Sequence, residues 1–157
     1  MNERKESTTS IILEYVRVIV LTVIATFIFL QFVQISRVNG SSMENTYFQN
    51  NIVLIDKVFY KHSQPKRNDI IIVDYDDGLD DTLIIKRVIA VGGDHLDIKN
   101  NEVYINGKKI KESYIKENMN TEDLSIDIPK GKVFVMGDNR NHSLDSRKLG
   151  YFDFDND

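Results

Sequence analysis

The stretch from Ile11 to Val33, IILEYVRVIVLTVIATFIFLQFV, limits most sharply what this chain can become. Its only charges, Glu14 and Arg17, stand in the first third, and between Val18 and Leu30 only Thr22 and Thr26 interrupt the apolar residues. Those hydroxyls can bond back to helix carbonyls. A helix needs about 20 residues to cross the hydrocarbon, and Arg17 can snorkel toward the headgroups, so the segment is long enough. Being apolar on every face, it does not suit a core helix with a wet side. A cleaved signal peptide also fits poorly. The run exceeds the roughly 7–15 residues of a signal core, and QFVQISRVNG offers large residues where a small-x-small site should stand. Residues 11–34 therefore read as an uncleaved anchor. Arg4, Lys5 and Arg17 lie before or within its start and only Arg37 stands close after it. The positive-inside bias then predicts a single pass through the cell membrane, with residues 1–10 cytoplasmic and residues 35–157 outside.

Beyond the anchor lie roughly 120 residues, enough for one compact core. The 157-residue chain is 41% hydrophobic and 28% charged, a globular balance. A net charge of −4 argues against a nucleic-acid binder held by a basic surface. With no cysteine, thiol catalysis, cysteine zinc sites and disulfides are all excluded. The apolar pattern predicts β structure: IVLIDKVFY (52–60), DIIIVDY (69–75), LIIKRVIAV (83–91), HLDI (95–98), EVYI (102–105), KKI (108–110) and KVFVM (132–136). Asn106-Gly107 signals a type I′ hairpin. Residues 117–127 are polar and read as a loop or short helix. Asp74, Asp76, Asp77, Asp80 and Asp81 suggest calcium, but counting from Asp74 the EF-hand positions 5, 6 and 12 fall on Gly78, Leu79 and Ile85. An acidic, solvated hairpin tip is the better reading. His62, His95 and His142 have no metal-ligand spacing, and no metal or organic cofactor is expected.

Chemistry can live on the strand LIIKRVIAV. Alternation sends Ile84, Lys86, Val88 and Ala90 one way and Ile85, Arg87, Ile89 and Val91 the other. Each apolar face thus carries one cation. A buried arginine stays charged and must pair. A buried lysine can instead lose its proton, because desolvation lowers its pKa, and become a general base. Gly40-Ser41-Ser42-Met43 comes directly after the anchor and offers a hydroxyl that such an amine could activate. Taken singly, each feature also has an ordinary reading: Lys86 snorkelling from an edge strand, and the serine pair as a turn.

The segments VNGSSMENT, IIKRVIAVGGD, the NG hairpin and VFVMGDNRNHSLDSRKLG occur in this order after an N-terminal anchor. This closely resembles the bacterial type I signal peptidases, membrane-bound Ser-Lys peptidases of the S26 family. The resemblance runs from the anchor to about Gly150 and implies a mainly β protein, with a transmembrane helix followed by an antiparallel β-sheet catalytic domain. It implies that Ser42 is the nucleophile and Lys86 the general base. Met43 resembles the family residue near the substrate pocket and membrane surface. Ser143 resembles the serine that hydrogen-bonds and orients the lysine amine, Asp145 and Arg147 a supporting ion pair, and Gly137, Asp138 and Asn139 a structural turn. The implied substrates are secreted preproteins with Ala-x-Ala-like sites, with pilins a narrower candidate, and the implied surroundings are the lipid bilayer. Val38, Met43, Ile84 and Ile85 are candidate walls for small side chains.

The chain departs from the family pattern in places. Asn45 stands where proline is common, which should loosen the turn. Gly40 stands where some members carry a hydroxyl donor, leaving the second oxyanion donor open. Asn68 stands where glycine is usual. YFDFDND ends the sequence where relatives often have a longer tail, so a final strand is expected to be short or missing. Other readings are a non-catalytic relative in surface-pilus assembly, and a self-cleaving Ser-Lys repressor, disfavoured because an anchor replaces the DNA-binding domain. A Ser-His signal peptidase would need histidine at Lys86.

Overall fold

The computed structural model describes residues 8–58, 63–76 and 81–154. Helix α1 spans Thr8–Phe32, and none of its side chains is buried. Its 25 residues, at about 1.5 Å each, exceed the roughly 30 Å of a bilayer core. Leu13 and Phe27 are 63% and 66% exposed, so in water the helix would leave most of its apolar surface wet. The helix is long and apolar enough to cross a membrane. It ends two residues before the expected boundary. β-branched Val33 and Ile35 turn the chain directly into strand β1 (Val33–Arg37), and the Lys57 amide donates to the Phe32 carbonyl at 3.0 Å.

The rest is mainly β, and every strand pair is antiparallel. β1 pairs with β2 (Ile52–Asp56). A second sheet runs β10-β9-β4-β3, from β10 (Phe152–Asp153), β9 (Lys132–Met136), β4 (Asp81–Val91) and β3 (Ile70–Asp76). A third runs β7-β6-β5-β8, from β7 (Lys108–Lys109), β6 (Glu102–Ile105), β5 (His95–Lys99) and β8 (Leu124–Asp127). Asn106 and Gly107 both have positive φ, 52° and 76°, as the type I′ turn requires.

Strand β9 is buried on both faces and divides the interior in two. Phe134 and Met136 join Ile89, Ala90, Leu96, Ile98, Val103 and Ile105 on one side. Val133 and Val135 join Ile71, Val73 and Val88 on the other.

Several expectations need correction. The polar stretch 117–127 ends in a strand, not a loop or helix. In β8, Leu124 and Ile126 alternate with the exposed Ser125 and Asp127 and pair with β5. Strict alternation along β4 fails at Ile89, where the register jumps from Val88↔Val135 to Ala90↔Phe134. This bulge puts one extra residue on β4. Ala90 therefore packs with Ile89, and Val91 packs with Val88. The strand predicted for 52–60 stops at Asp56, whose carboxylate accepts from the Val58 amide at 2.8 Å. Phe59, Tyr60 and His62 lie outside the described residues, as do Arg4, Lys5, Asp77 and Asp80. The last strand among the described residues, β10, has only two residues, in line with the expectation of a short one.

Candidate active site

The chain leaves β1 through Val38, whose amide donates to Asn51 O at 2.9 Å. Gly40 then adopts φ 98°, and its amide donates to the Gln49 side chain at 2.6 Å. This bend brings Ser42 over β4. Lys86 Nζ lies 2.9 Å from Ser42 Oγ and donates to Ile85 O at 3.0 Å. Lys86 is 3% exposed. Burial pushes its amine below the ordinary lysine value, and the charge of Asp145 offsets this only in part. Among the described residues Lys86 has no ion-pair partner. A neutral amine can accept the Ser42 proton, so kcat/KM of a reaction that uses Lys86 as its base should rise as pH rises through the lowered Lys86 pKa. A pH profile with its ascending limb below the ordinary lysine value of 10.5 is the expected result.

Strand β9 delivers the turn that holds the serine segment. The Asn139 amide donates to Ser42 O at 2.9 Å, and Asn139 Nδ2 donates to Ser41 O at 3.0 Å. Gly137 sits where a methyl group would fall 2.5 Å from Ser42 O and against the Ser143 side chain. Both neighbours belong to the site, so Gly137→Ala should displace Ser42 and lower kcat/KM roughly 100-fold for a reaction at its hydroxyl.

Asp138 explains why Arg87 tolerates burial. Arg87 Nε donates to Asp138 Oδ1 at 2.8 Å and its Nη2 to Oδ2 at 2.7 Å, a two-point pair with a fully buried carboxylate. Thr46 Oγ1 donates to the same carboxylate, and Tyr114 stacks 4.1 Å from the guanidinium. Burial alone would lower the Arg87 pKa, but the bonds and charge of Asp138 outweigh it and raise it. Sequence reasoning shows that Arg87 must pair but not with what. Asp138, Thr46 and Tyr114 are far away along the chain, and no spacing rule links them. Asn45 Nδ2 donates to Ile115 O at 3.1 Å, a bond that proline could not make.

Asp145 and Arg147 form the expected pair, at 2.9 and 2.8 Å. The Asp145 side chain also accepts from the Gly137 amide at 3.0 Å. Burial pushes its carboxyl up, yet the Arg147 bonds and charge, the Gly137 amide and the Ser143 hydroxyl together hold it low. Ser143 differs from expectation. Its enclosed Oγ lies beside Gly137 and makes no hydrogen bond of ordinary geometry, and Ile85 O is the second partner of Lys86 Nζ. The amine is thus oriented from its own strand.

Ser42 and Lys86 open onto a cleft of about 260 Å³ lined by Val38, Ile84 and Ile85, with Val53, Ile55 and Ile72 completing an aliphatic wall. Met43 is not part of it. It is 1% exposed, and its carbonyl accepts the amides of Thr46 and Tyr47 at 2.8 Å, so it anchors the serine turn from within. A larger, polar hollow of about 790 Å³ touches Ser143 but neither Ser42 nor Lys86.

The family described as "Signal peptidase, peptidase S26" matches residues 12–156. The chain belongs to the S26 signal peptidase family. Signal peptidase I P of Bacillus subtilis subsp. natto is 33% identical to it over 164 residues, 97% of this chain and 88% of the relative. Signal peptidase I U of Bacillus subtilis (strain 168) is 39% identical over 119 residues, 70% of this chain and 63% of the relative. Among solved structures, a signal peptidase I from Enterococcus faecalis V583 shares 29% identity with a TM-score of 0.50, covering 59% of this chain and 92% of that one. As an S26 signal peptidase the chain has the expected mainly β, antiparallel architecture behind an apolar helix.

Proposed function

We propose that Ser42 and Lys86 are the catalytic dyad with which this serine peptidase removes signal peptides from secreted preproteins. The observation that carries the reading is the 2.9 Å approach of a buried, carboxylate-free lysine amine to a serine hydroxyl at an aliphatic cleft. Lys86 takes the Ser42 proton as the hydroxyl attacks the scissile carbonyl, and the Ser42 amide helps to hold the oxyanion. The protonated lysine then gives its proton to the departing amine, which leaves as the new N-terminus. Water, activated by the neutral amine, releases the signal peptide from the serine ester. Ile85 O orients the base, Asp145 and Arg147 brace the turn after β9, and Gly137, Asp138 and Asn139 fix the nucleophile. Val38, Ile84 and Ile85 admit small side chains before the cut and exclude large ones.

α1 serves as a single-pass anchor, with residues 1–10 cytoplasmic and the β domain outside. The short path from Phe32 to Ser42, at about 3.3 Å per extended residue, keeps the cleft near the bilayer surface. The chain has no cysteine, so one introduced by Ser125→Cys should react with an impermeant maleimide on intact cells. Labelling only after lysis would reverse the orientation. Incubating the detergent-purified chain with several preproteins and a pilin precursor tests the activity. Cleavage of the panel supports a general peptidase, cleavage of the pilin alone a dedicated one, and cleavage of none would remove the reading.

A further inference from the structure

Acyl transfer is served by more than one donor aimed at the oxyanion, and the Ser42 amide is a single one. Gly40 has no side chain to add a second. Its backbone amide is already committed, donating to Gln49 Oε1 at 2.6 Å. Besides Ser42 and Lys86, the polar side chains that line the cleft are Gln34, Ser36, Arg37 and Asn39. Asn39 stands nearest to Ser42 in the chain, and it alone is held in a fixed direction. Among the described residues no hydrogen bond holds the side chains of Gln34, Ser36 or Arg37.

The direction of the Asn39 amide follows from its neighbours. Val38 is bonded on both sides to the segment after the serine turn: its amide donates to Asn51 O and its carbonyl accepts from the Asn50 amide, each at 2.9 Å. Those bonds set Gln49 beside Asn39 and Gly40. A backbone amide can only donate, so the Gln49 atom that meets Gly40 is the side-chain oxygen. Gln49 Nε2 is then the donor to Asn39, and the atom it meets, at 3.1 Å, is Oδ1. Asn39 Nδ2 is left as the free end, and among the described residues it donates to nothing. We propose that Asn39 Nδ2 is the second donor to the oxyanion formed at Ser42, and that Gln49 is the positioning residue that aims it. A donor whose direction is set beforehand needs no reorganisation as charge builds on the scissile oxygen. Asn39 is exposed, and a peptide laid in the cleft shields this bond from water and strengthens it.

This deepens the peptidase reading and rests on it. The full chain in detergent is assayed on one Ala-x-Ala preprotein for kcat and KM separately, on the plateau of the pH profile, where Lys86 is neutral in every variant. Asn39→Leu keeps the shape of the side chain and removes the donor. It should lower kcat roughly 100-fold and leave KM within about twofold, because the bond forms only as the charge develops. Gln49→Glu is the sharper variant. A carboxylate still accepts from the Gly40 amide but cannot donate to Asn39. The Asn39 amide then turns Nδ2 toward the new carboxylate and presents Oδ1 to the cleft. The kcat should fall by a similar factor, although Gln49 does not line the cleft. Adding Asn39→Leu to Gln49→Glu should cost nothing further. Gln49→Glu should melt with the parent, so it decides the matter if Asn39→Leu unfolds. A kcat within about threefold of the parent in either folded variant, a loss confined to KM, or losses that multiply in the double variant would overturn the inference. An unaltered chain that does not cut the preprotein would overturn the peptidase reading itself.

Discussion

Lys86→Met is expected to lower kcat/KM on an Ala-x-Ala preprotein by at least about 10³-fold, with Ser42→Ala losing as much. The two losses should not add, because each variant removes one half of a single proton transfer. Methionine keeps the length and apolar stem of lysine but cannot take a proton, so it separates chemistry from packing. Lys86→Arg should be equally inactive, since a guanidinium stays charged at working pH. Thermal unfolding distinguishes this from a structural role. Lys86 is 3% exposed and its amine has no carboxylate partner among the described residues, so the fold gains little from it. Lys86→Met should melt at or above the parent temperature. A variant that lost activity only by unfolding would contradict the assignment.

Asp138→Ala is expected to act through stability. It would strand the Arg87 guanidinium, whose side chain is 10% exposed, without its two-point partner. Removing one member of a buried pair costs about 3–5 kcal/mol. In a domain of this size that lowers the melting temperature by roughly 10 °C. Activity should fall too, since the same carboxylate accepts from Thr46 in the serine segment. Replacing both members by apolar residues, Arg87→Met with Asp138→Leu, should recover part of the melting temperature, because no charge is then left unpaired. Recovery of stability without recovery of cleavage would show that the pair matters for placing Ser42. Equal melting of Asp138→Ala and the parent would refute the role given to the pair.

Local pattern makes the apolar N-terminal helix, most strands and the hairpin at Asn106-Gly107 legible, because each is written in contiguous residues. β8 is hidden, since four alternating residues sit behind a polar stretch that reads as loop. The bulge at Ile89 is hidden for a different reason: it is a property of two strands in register, and nothing in LIIKRVIAV marks the extra residue. At the site, the motif resemblance singles out Ser42 and Lys86, and alternation gives a reason for the lysine to be buried. Contacts between distant segments are beyond reach. The Arg87–Asp138–Thr46 bond set, the grip of Asn139 on Ser41 and Ser42, and the retreat of Met43 from the cleft all depend on how the turn after β9 meets the segment after β1.

The proposed mechanism turns on the protonation of one amine. Titrating the Lys86 side chain by NMR, with selectively labelled lysine and assignment through Lys86→Met, measures it directly. The expected result is an amine that loses its proton below the ordinary lysine value of 10.5. A Lys86 amine that remains protonated up to that value would contradict it.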